Sequence, residues 1–241
     1  MVPEKPNSSG TIYRNSSTSP MINETLPPQD VLRLYDRIGP RYDWFAALEG
    51  HAKTLALEHL DLSPGMRVLD VGVGTGREHM HIQQMIAPDG LAFGLDLSGV
   101  MLRLCQNRTG APLCQADACR LPYPADNFDR LYVAYVLDLV PLSGIPAALD
   151  EFQRVLKPGG YLVAISMTEG TSLPNRAIMA AWKLAYRLSP YTCAGCRPLR
   201  LAQMVEATGM GIGYQTVISQ LGLPSEIIVA RKSPQAGTSP G

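Results

Sequence analysis

No excess of either charge runs through this chain: its 21 lysines and arginines are matched by 21 aspartates and glutamates. A balanced chain carries no electrostatic footprint for nucleic acid, and no polybasic membrane patch is expected. It also lacks an uninterrupted apolar run of about 20 residues, so no transmembrane segment is expected. The first 28 residues have no apolar stretch of the kind a secretory leader carries, and more than half of them are Ser, Thr, Asn or Pro. Such a composition buries too little apolar surface to offset the entropy of ordering. Residues 1–28 are therefore expected to be a disordered arm, and residues 233–241 a disordered tail. Cysteine is sparse. Cys105, Cys114, Cys119, Cys193 and Cys196 are odd in number and scattered, which argues against a disulfide framework and for a reducing, cytoplasmic setting. Cys193-Ala-Gly-Cys196 has the spacing of a metal or redox site, but no second ligand pair lies nearby in sequence. His79 and His81 stand two apart on a predicted helix and face different sides. No metal is expected.

What the chain does have is alternation. Short apolar runs at 66–71, 91–95, 112–116, 131–136, 161–167, 213–219 and 226–230 read as seven strands. Helical periodicity falls at 77–86, 100–106, 145–156, 176–188 and 199–208, with Ile82, Met85 and Ile86 sharing a face in the first of these. Strands alternating with helices predict an α/β domain built on a mostly parallel sheet, here over residues 29–232. Pro158-Gly159-Gly160 is expected to end one helix and turn the chain into the fifth strand. Ahead of this core, helical segments at 31–38 and 42–60, broken at Gly39-Pro40, are available as lid helices over 29–60.

One stretch carries chemistry. Val68-Leu69-Asp70-Val71-Gly72-Val73-Gly74-Thr75-Gly76-Arg77 follows a predicted strand and opens a predicted helix. There, glycines let a ligand approach the backbone beside a helix N-terminus. The dinucleotide fingerprint G-x-G-x-x-G needs glycine at 77, where this chain has Arg77. Asp96 ends the next strand, where a carboxylate accepts hydrogen bonds from ribose hydroxyls; the same position also suits capping of a helix starting near Ser98. Asp117 ends the third strand, placed to accept from an exocyclic adenine amine.

Together these residues resemble class I S-adenosylmethionine-dependent methyltransferases, over roughly residues 60 to 167. Leu69-Asp70-Val71-Gly72-Val73-Gly74-Thr75-Gly76 is similar to their first motif. Phe128-Asp129-Arg130-Leu131 through Leu137 resembles their fourth strand, and Arg154-Val155-Leu156-Lys157-Pro158-Gly159-Gly160 the junction before the fifth. Upstream, Tyr35-Asp36-Arg37-Ile38-Gly39-Pro40-Arg41-Tyr42-Asp43 resembles the lid of ubiquinone and menaquinone biosynthesis C-methyltransferases and their relatives. The chain departs from the quinone enzymes after the fourth strand, where Leu137-Asp138-Leu139 replaces their Arg-Asn pair, and across 168–231.

The resemblance implies a doubly wound, Rossmann-like sheet of seven strands whose last strand is antiparallel. It implies S-adenosylmethionine as cofactor and a small-molecule acceptor, with an apolar quinone-like or lipid compound in view. Asp70, Gly72, Val73, Gly74 and Ala134 would surround the methionine portion, and Asp96 would fix the ribose. Asp117 and Ala118 would hold the adenine between Leu97 and Met101, although Met101 also reads as plain core. Tyr42 would lie close to the cofactor and Tyr35 close to the acceptor. Asp138 is the candidate for contacting or deprotonating the acceptor, with a solvated helix-start acid as its alternative. Residues 168–211 sit where acceptor-covering helices are inserted, and Ala177–Tyr186 leaves a peripheral membrane contact and core packing both open. A nicotinamide-dependent oxidoreductase and a non-catalytic adenosyl-ligand-binding protein are the competing readings. Nothing in the sequence specifies an oligomeric state.

Overall fold

A computed structural model describes residues 22, 25–43, 49–170 and 172–234. Most of the expected arm and tail lies outside these residues. Where the arm is described it is packed: Ile22 is buried against Tyr186 and Cys193, and Leu26 is buried near Gly195. The expectation of disorder up to residue 28 is corrected on that point, since apolar side chains at 22 and 26 find a surface to cover.

Helix α1 (Pro28–Ile38) leads through a short 3-10 turn at Gly39–Arg41 to α2 (Gly50–His59). The core then runs β1 (Arg67–Val71), α3 (Arg77–Ile86), β2 (Leu91–Asp96), α4 (Gly99–Thr109), β3 (Leu113–Gln115) and β4 (Phe128–Ala134). It finishes with α5 (Ile145–Val155), β5 (Leu156–Met167), α6 (Leu173–Leu188), α7 (Leu201–Glu206), β6 (Gly211–Gln220) and β7 (Leu223–Arg231). The seven strands form one sheet in the order β3-β2-β1-β4-β5-β7-β6. All neighbouring pairs are parallel except those of β7, which runs antiparallel to both β5 and β6.

Strand alternation divides the apolar residues between two layers. Leu69, Leu131, Val133, Leu162 and Ile228 face one side, where they meet Leu149 and Phe152 of α5 and Leu201 and Val205 of α7. Val68, Tyr132, Val163 and Ile227 face the other, against Ala52 and Ala56 of α2 and Ile82 and Ile86 of α3. Burial on both faces explains why the central strands read as near-continuous apolar runs.

Three local expectations are corrected. Met85 is exposed, and the buried face of α3 is His79, Ile82 and Ile86. The Pro158-Gly159-Gly160 segment does not separate helix from strand: β5 starts at Leu156, pairing with Phe128, and the extra residues are taken up as a register shift before Tyr161 pairs with Arg130. Helix α7 lies in the core layer with α5, whereas α6 packs through Met179 and Trp182 against Leu139 and Cys196, so 168–211 is not one covering unit.

The strand order reverses between β1 and β4. In doubly wound sheets that reversal opens a crevice beyond the carboxyl ends of the two strands, where ligands bind. Here the ends are Val71-Gly72 and Ala134-Tyr135.

Candidate active site

A cavity occupies that crevice, and its wall is built from four strand-end segments closed by a lid. The glycine loop after β1 supplies Gly72 and Gly74; β2 and the turn into α4 supply Asp96, Leu97, Ser98 and Met101. Asp117 and Ala118 follow β3, and Ala134, Tyr135 and Val136 follow β4. Leu139, Val140 and Pro141 and the lid residues Pro28, Val31, Leu32, Tyr35 and Tyr42 close the far side.

Local geometry fixes the loop. The amides of Gly72 and Val73 donate to the Leu95 carbonyl at 2.8 and 3.0 Å, tying the turn to β2. Gly72 has φ +75°, and a Cβ there would lie 2.3 Å from Cγ2 of Val136 across the crevice, so only glycine fits. Asp96 accepts from the Gly74 amide at 3.0 Å and from the Ser98 amide at 2.8 Å. Asp96 therefore holds the turn entering α4 and borders the cavity. Burial outweighs these donors and pushes its carboxyl up to about 6. The helix cap itself is Ser98, whose Oγ accepts from the Met101 amide at 3.1 Å. Asp117 accepts from the Cys119 amide at 2.9 Å and stands on the cavity wall.

The lid is latched to this frame by residues that the sequence reading did not single out. Ser98 Oγ donates to Asp36 on α1. Asp43 accepts from Thr75 Oγ1 in the glycine loop and from Arg108 Nη2 at 2.8 Å. Arg108 Nη1 also donates to the Thr75 carbonyl at 2.9 Å. The Thr75 hydroxyl and the Arg108 guanidinium together hold the Asp43 carboxyl below its usual range, against the opposing effect of burial. The acids at 36 and 43 each directly follow one of the two lid tyrosines, which is the signal in the sequence that could have found them. Tyr35 and Tyr42 lie ring to ring at 6.0 Å, and burial raises both phenols well above their ordinary range. The Tyr35 hydroxyl donates to the Ala194 carbonyl at 3.4 Å and lies 3.7 Å from Cys196 Sγ. Lys53, also missed, is buried beneath the Tyr42 and Tyr135 rings and pairs with Glu49 at 2.9 Å.

Three of the expected contact residues do not reach the cavity wall. Asp70 points into the α3 layer, where it is buried and bonded to His79 Nδ1 at 3.1 Å. Strand alternation is the reason: Val71 and Leu69 face the other layer. Val73 is buried against Gly94 beneath the loop. Asp138 is fully buried, accepting from Ser166 Oγ and from the Met167 amide at 2.9 Å on β5. Burial pushes its carboxyl up to about 7, and its expected contact with an acceptor is corrected. The wall beside it is made by its neighbours Leu139 and Val140.

That wall has a clamp which sequence reasoning missed. Arg197 is completely buried, and its guanidinium donates to the carbonyls of Asp138 at 2.9 Å and Val140 at 2.6 Å. Nothing in its Cys-Arg-Pro context marks it in the sequence. Cys193 and Cys196 are free and buried in two apolar clusters with Trp182 between them.

The residues on the wall fit S-adenosylmethionine. An acid held in partial desolvation at the end of β2 suits ribose hydroxyls, and the pinned glycine loop leaves the cavity side of its backbone free of side chains. Comparison with known proteins agrees. Residues 68–160 match the family model described as a methyltransferase domain. The ubiquinone/menaquinone biosynthesis C-methyltransferase UbiE of Coxiella burnetii is 28% identical over 172 residues, 66% of this chain and 67% of that protein. A demethylmenaquinone methyltransferase of Symbiobacterium thermophilum is 31% identical over 155 residues, 58% of this chain and 60% of that protein. Among solved structures, the N-methyltransferase NodS from Bradyrhizobium japonicum WM9, in complex with S-adenosyl-l-homocysteine, superposes with a TM-score of 0.63. The superposition covers 85% of this chain and 97% of NodS at 16% identity, a likeness of fold alone. The crevice and the sequence relatives lead to one assignment: the chain is a class I S-adenosylmethionine-dependent methyltransferase that resembles the ubiquinone/menaquinone biosynthesis C-methyltransferases.

Proposed function

We propose that this methyltransferase acts on an apolar, quinone-like small molecule, methylating a ring carbon of its reduced, hydroquinone form. One observation carries the reading. Among the described wall residues the only charged side chains are Asp96 and Asp117, both at the strand ends assigned to the nucleoside. Beyond Ala134 the wall includes Tyr135, Val136, Leu139, Val140 and Pro141, with Pro28, Val31, Leu32 and Tyr35 facing them from the lid. An amine acceptor would arrive protonated and want a carboxylate there; a hydroquinone activates its own ring through its hydroxyls and wants apolar walls. The activities named for the two quinone-pathway relatives point the same way.

Bound S-adenosylmethionine would supply a sulfonium methyl group by in-line displacement; as the ring carbon takes it the S–CH3 bond breaks, S-adenosylhomocysteine leaves, and the ring C–H proton is released to solvent. In this proposal Asp96 accepts from the ribose hydroxyls, while Asp117 and the Ala118 amide receive the adenine edge, with Leu97 and Met101 on its faces. The Gly72 and Gly74 backbone and Ala134 border the methionine portion. Residues 29–60 act as a lid, with Tyr42 turned to the cofactor and Tyr35 to the acceptor. Neither tyrosine is a base at neutral pH, because burial holds both phenols protonated. Their work is shape and water exclusion. Holding two reactants in line can contribute roughly 7–11 kcal/mol, enough that no catalytic base on the wall is required.

The test is product analysis. Purified protein with S-adenosylmethionine is offered a water-soluble hydroquinone with a short apolar tail, alongside phenols and aliphatic amines. Ring-methylated hydroquinone with matching S-adenosylhomocysteine is the expected result. Turnover of the amines alone would refute the acceptor class. Tight nicotinamide-cofactor binding without S-adenosylmethionine binding would remove the cofactor assignment itself.

A further inference from the structure

Helix α6 has two unlike sides. Its inner stripe, Met179 and Trp182, packs against Leu139 and Cys196 at the acceptor end of the cavity. The outer side is apolar where a solvated helix would be polar. At 100° per residue, Leu173, Ala177, Ala180, Leu184 and Leu188 fall within about 80° of one another. Leu173 and Leu188 are 79% and 80% exposed, and Leu184 is exposed between them. The tip of the β6–β7 hairpin sits beside this helix: a Cβ on Gly222 would meet Ile178 Cδ1, and the adjacent Leu221 is 78% exposed. Among the described residues, six of the nine exposed large apolar side chains lie on α6, on the turn after it at Tyr191, or on this tip. An exposed apolar concentration of this kind marks an interaction surface.

Charge identifies the occupant. The chain is neutral overall, yet residues 170–205 contain no aspartate or glutamate and five lysines and arginines. Lys183 turns inward to Glu169 and Arg197 is buried, whereas Arg176 and Arg187 are exposed along the edge of the leucine row. A two-fold contact between copies through α6 would bring these arginines together with no carboxylate from the same stretch to offset them. Lipid phosphates offset them directly, and acyl chains take the leucines. No helix among the described residues is long and apolar enough to cross a membrane, so the helix would lie along a surface.

We propose that the outer face of α6, with the β6–β7 tip, docks onto an anionic lipid surface. Docking there would set the acceptor end of the cavity close to the bilayer. The surface stands on its own residues and does not depend on which acceptor is methylated.

Vesicle co-sedimentation tests it with the full chain, without any acceptor. Wild-type protein is expected to bind vesicles of phosphatidylcholine mixed with phosphatidylglycerol, and to bind phosphatidylcholine alone at least about tenfold more weakly. Added salt should weaken the binding. R176E/R187E and, separately, L184E/L188E should each lose at least about tenfold in affinity while keeping the wild-type melting temperature and S-adenosylmethionine affinity. Absence of wild-type binding, equal binding to both vesicles, or unchanged binding by both variants would overturn the proposal. So would a dimer in sedimentation velocity that L184E/L188E dissolves, since that would give the face to a second copy.

Discussion

A carboxylate shut away from water is tolerable only if donors surround it, and Asp138 finds them on β5 in Ser166 Oγ and the Met167 amide. Its work is to tie the segment after β4 to the neighbouring strand. Asparagine can still accept from the Met167 amide and donate to Ser166, so Asp138→Asn should slow methyl transfer less than about tenfold. Loss of a general base costs roughly 10²–10⁴-fold, and S-adenosylhomocysteine release with any good acceptor separates the two cases. Arg197 behaves oppositely. Arg197→Met leaves the Asp138 and Val140 carbonyls buried without their donor and should cost about 2–3 kcal/mol in urea unfolding, since bonds to charged groups are each worth about 1.5–3. The sequence marked Asp138 by its place after the fourth strand, but place does not specify direction. A one-residue step along the chain decides whether a side chain meets the cavity or the interior, and that step is set by packing on β5. Arg197 was illegible for the same reason, because its partners are backbone carbonyls more than fifty residues away.

Elements were easier to read than directions. The bounds expected for α3 match the structure, because the glycine loop fixes its start and helical periodicity its length. The central strands announced themselves by burial on both faces. The start of β5 was hidden, since Pro158-Gly159-Gly160 has turn chemistry and only the pairing of Phe128 with Leu156 keeps it in the sheet. The entry to α3 has a sharper requirement than motif spacing suggests. Gly76 sits at φ +83°, and a Cβ there would lie 3.0 Å from the Cα and 2.7 Å from the Sγ of Cys105 on α4. Gly65 has a similar φ, +85°, with nothing within 4 Å of its Cβ position. Gly65→Ala should therefore cost only the backbone term, about 1 kcal/mol. Gly76→Ala adds an overpacking term of about 1–3 kcal/mol and should also weaken cofactor binding, because α4 carries Met101 on the cavity wall. Equal losses in the two variants would mean that the α3–α4 contact is looser than the geometry gives.

Across the whole molecule, folding and the proposed ribose contact meet at Asp96. Its carboxyl lies at about 6 in the fold against an ordinary value of 3.8, so between those two pH values the folded protein holds more protons there than the unfolded chain. Stability then falls as pH rises through that window: the contribution of the protonated acid is fully present below about 4 and lost by about 6. Asp138, pushed up to about 7, acts in the same direction over a wider range. A ligand whose hydroxyls donate to Asp96 favours the ionised form, so binding has the opposite slope. S-adenosylmethionine should raise the melting temperature more at pH 7 than at pH 5, even though the free protein loses stability from these two acids over the same interval. Asp96→Asn should bind the cofactor weakly at both pH values and lose its share of both slopes, leaving that of Asp138. Scanning calorimetry with and without S-adenosylmethionine measures the two together. A cofactor-induced shift that is the same at both pH values in the wild type, or unchanged by Asp96→Asn, would take the ribose role away from this residue. The acid would then be left with only the turn that it holds at Gly74 and Ser98.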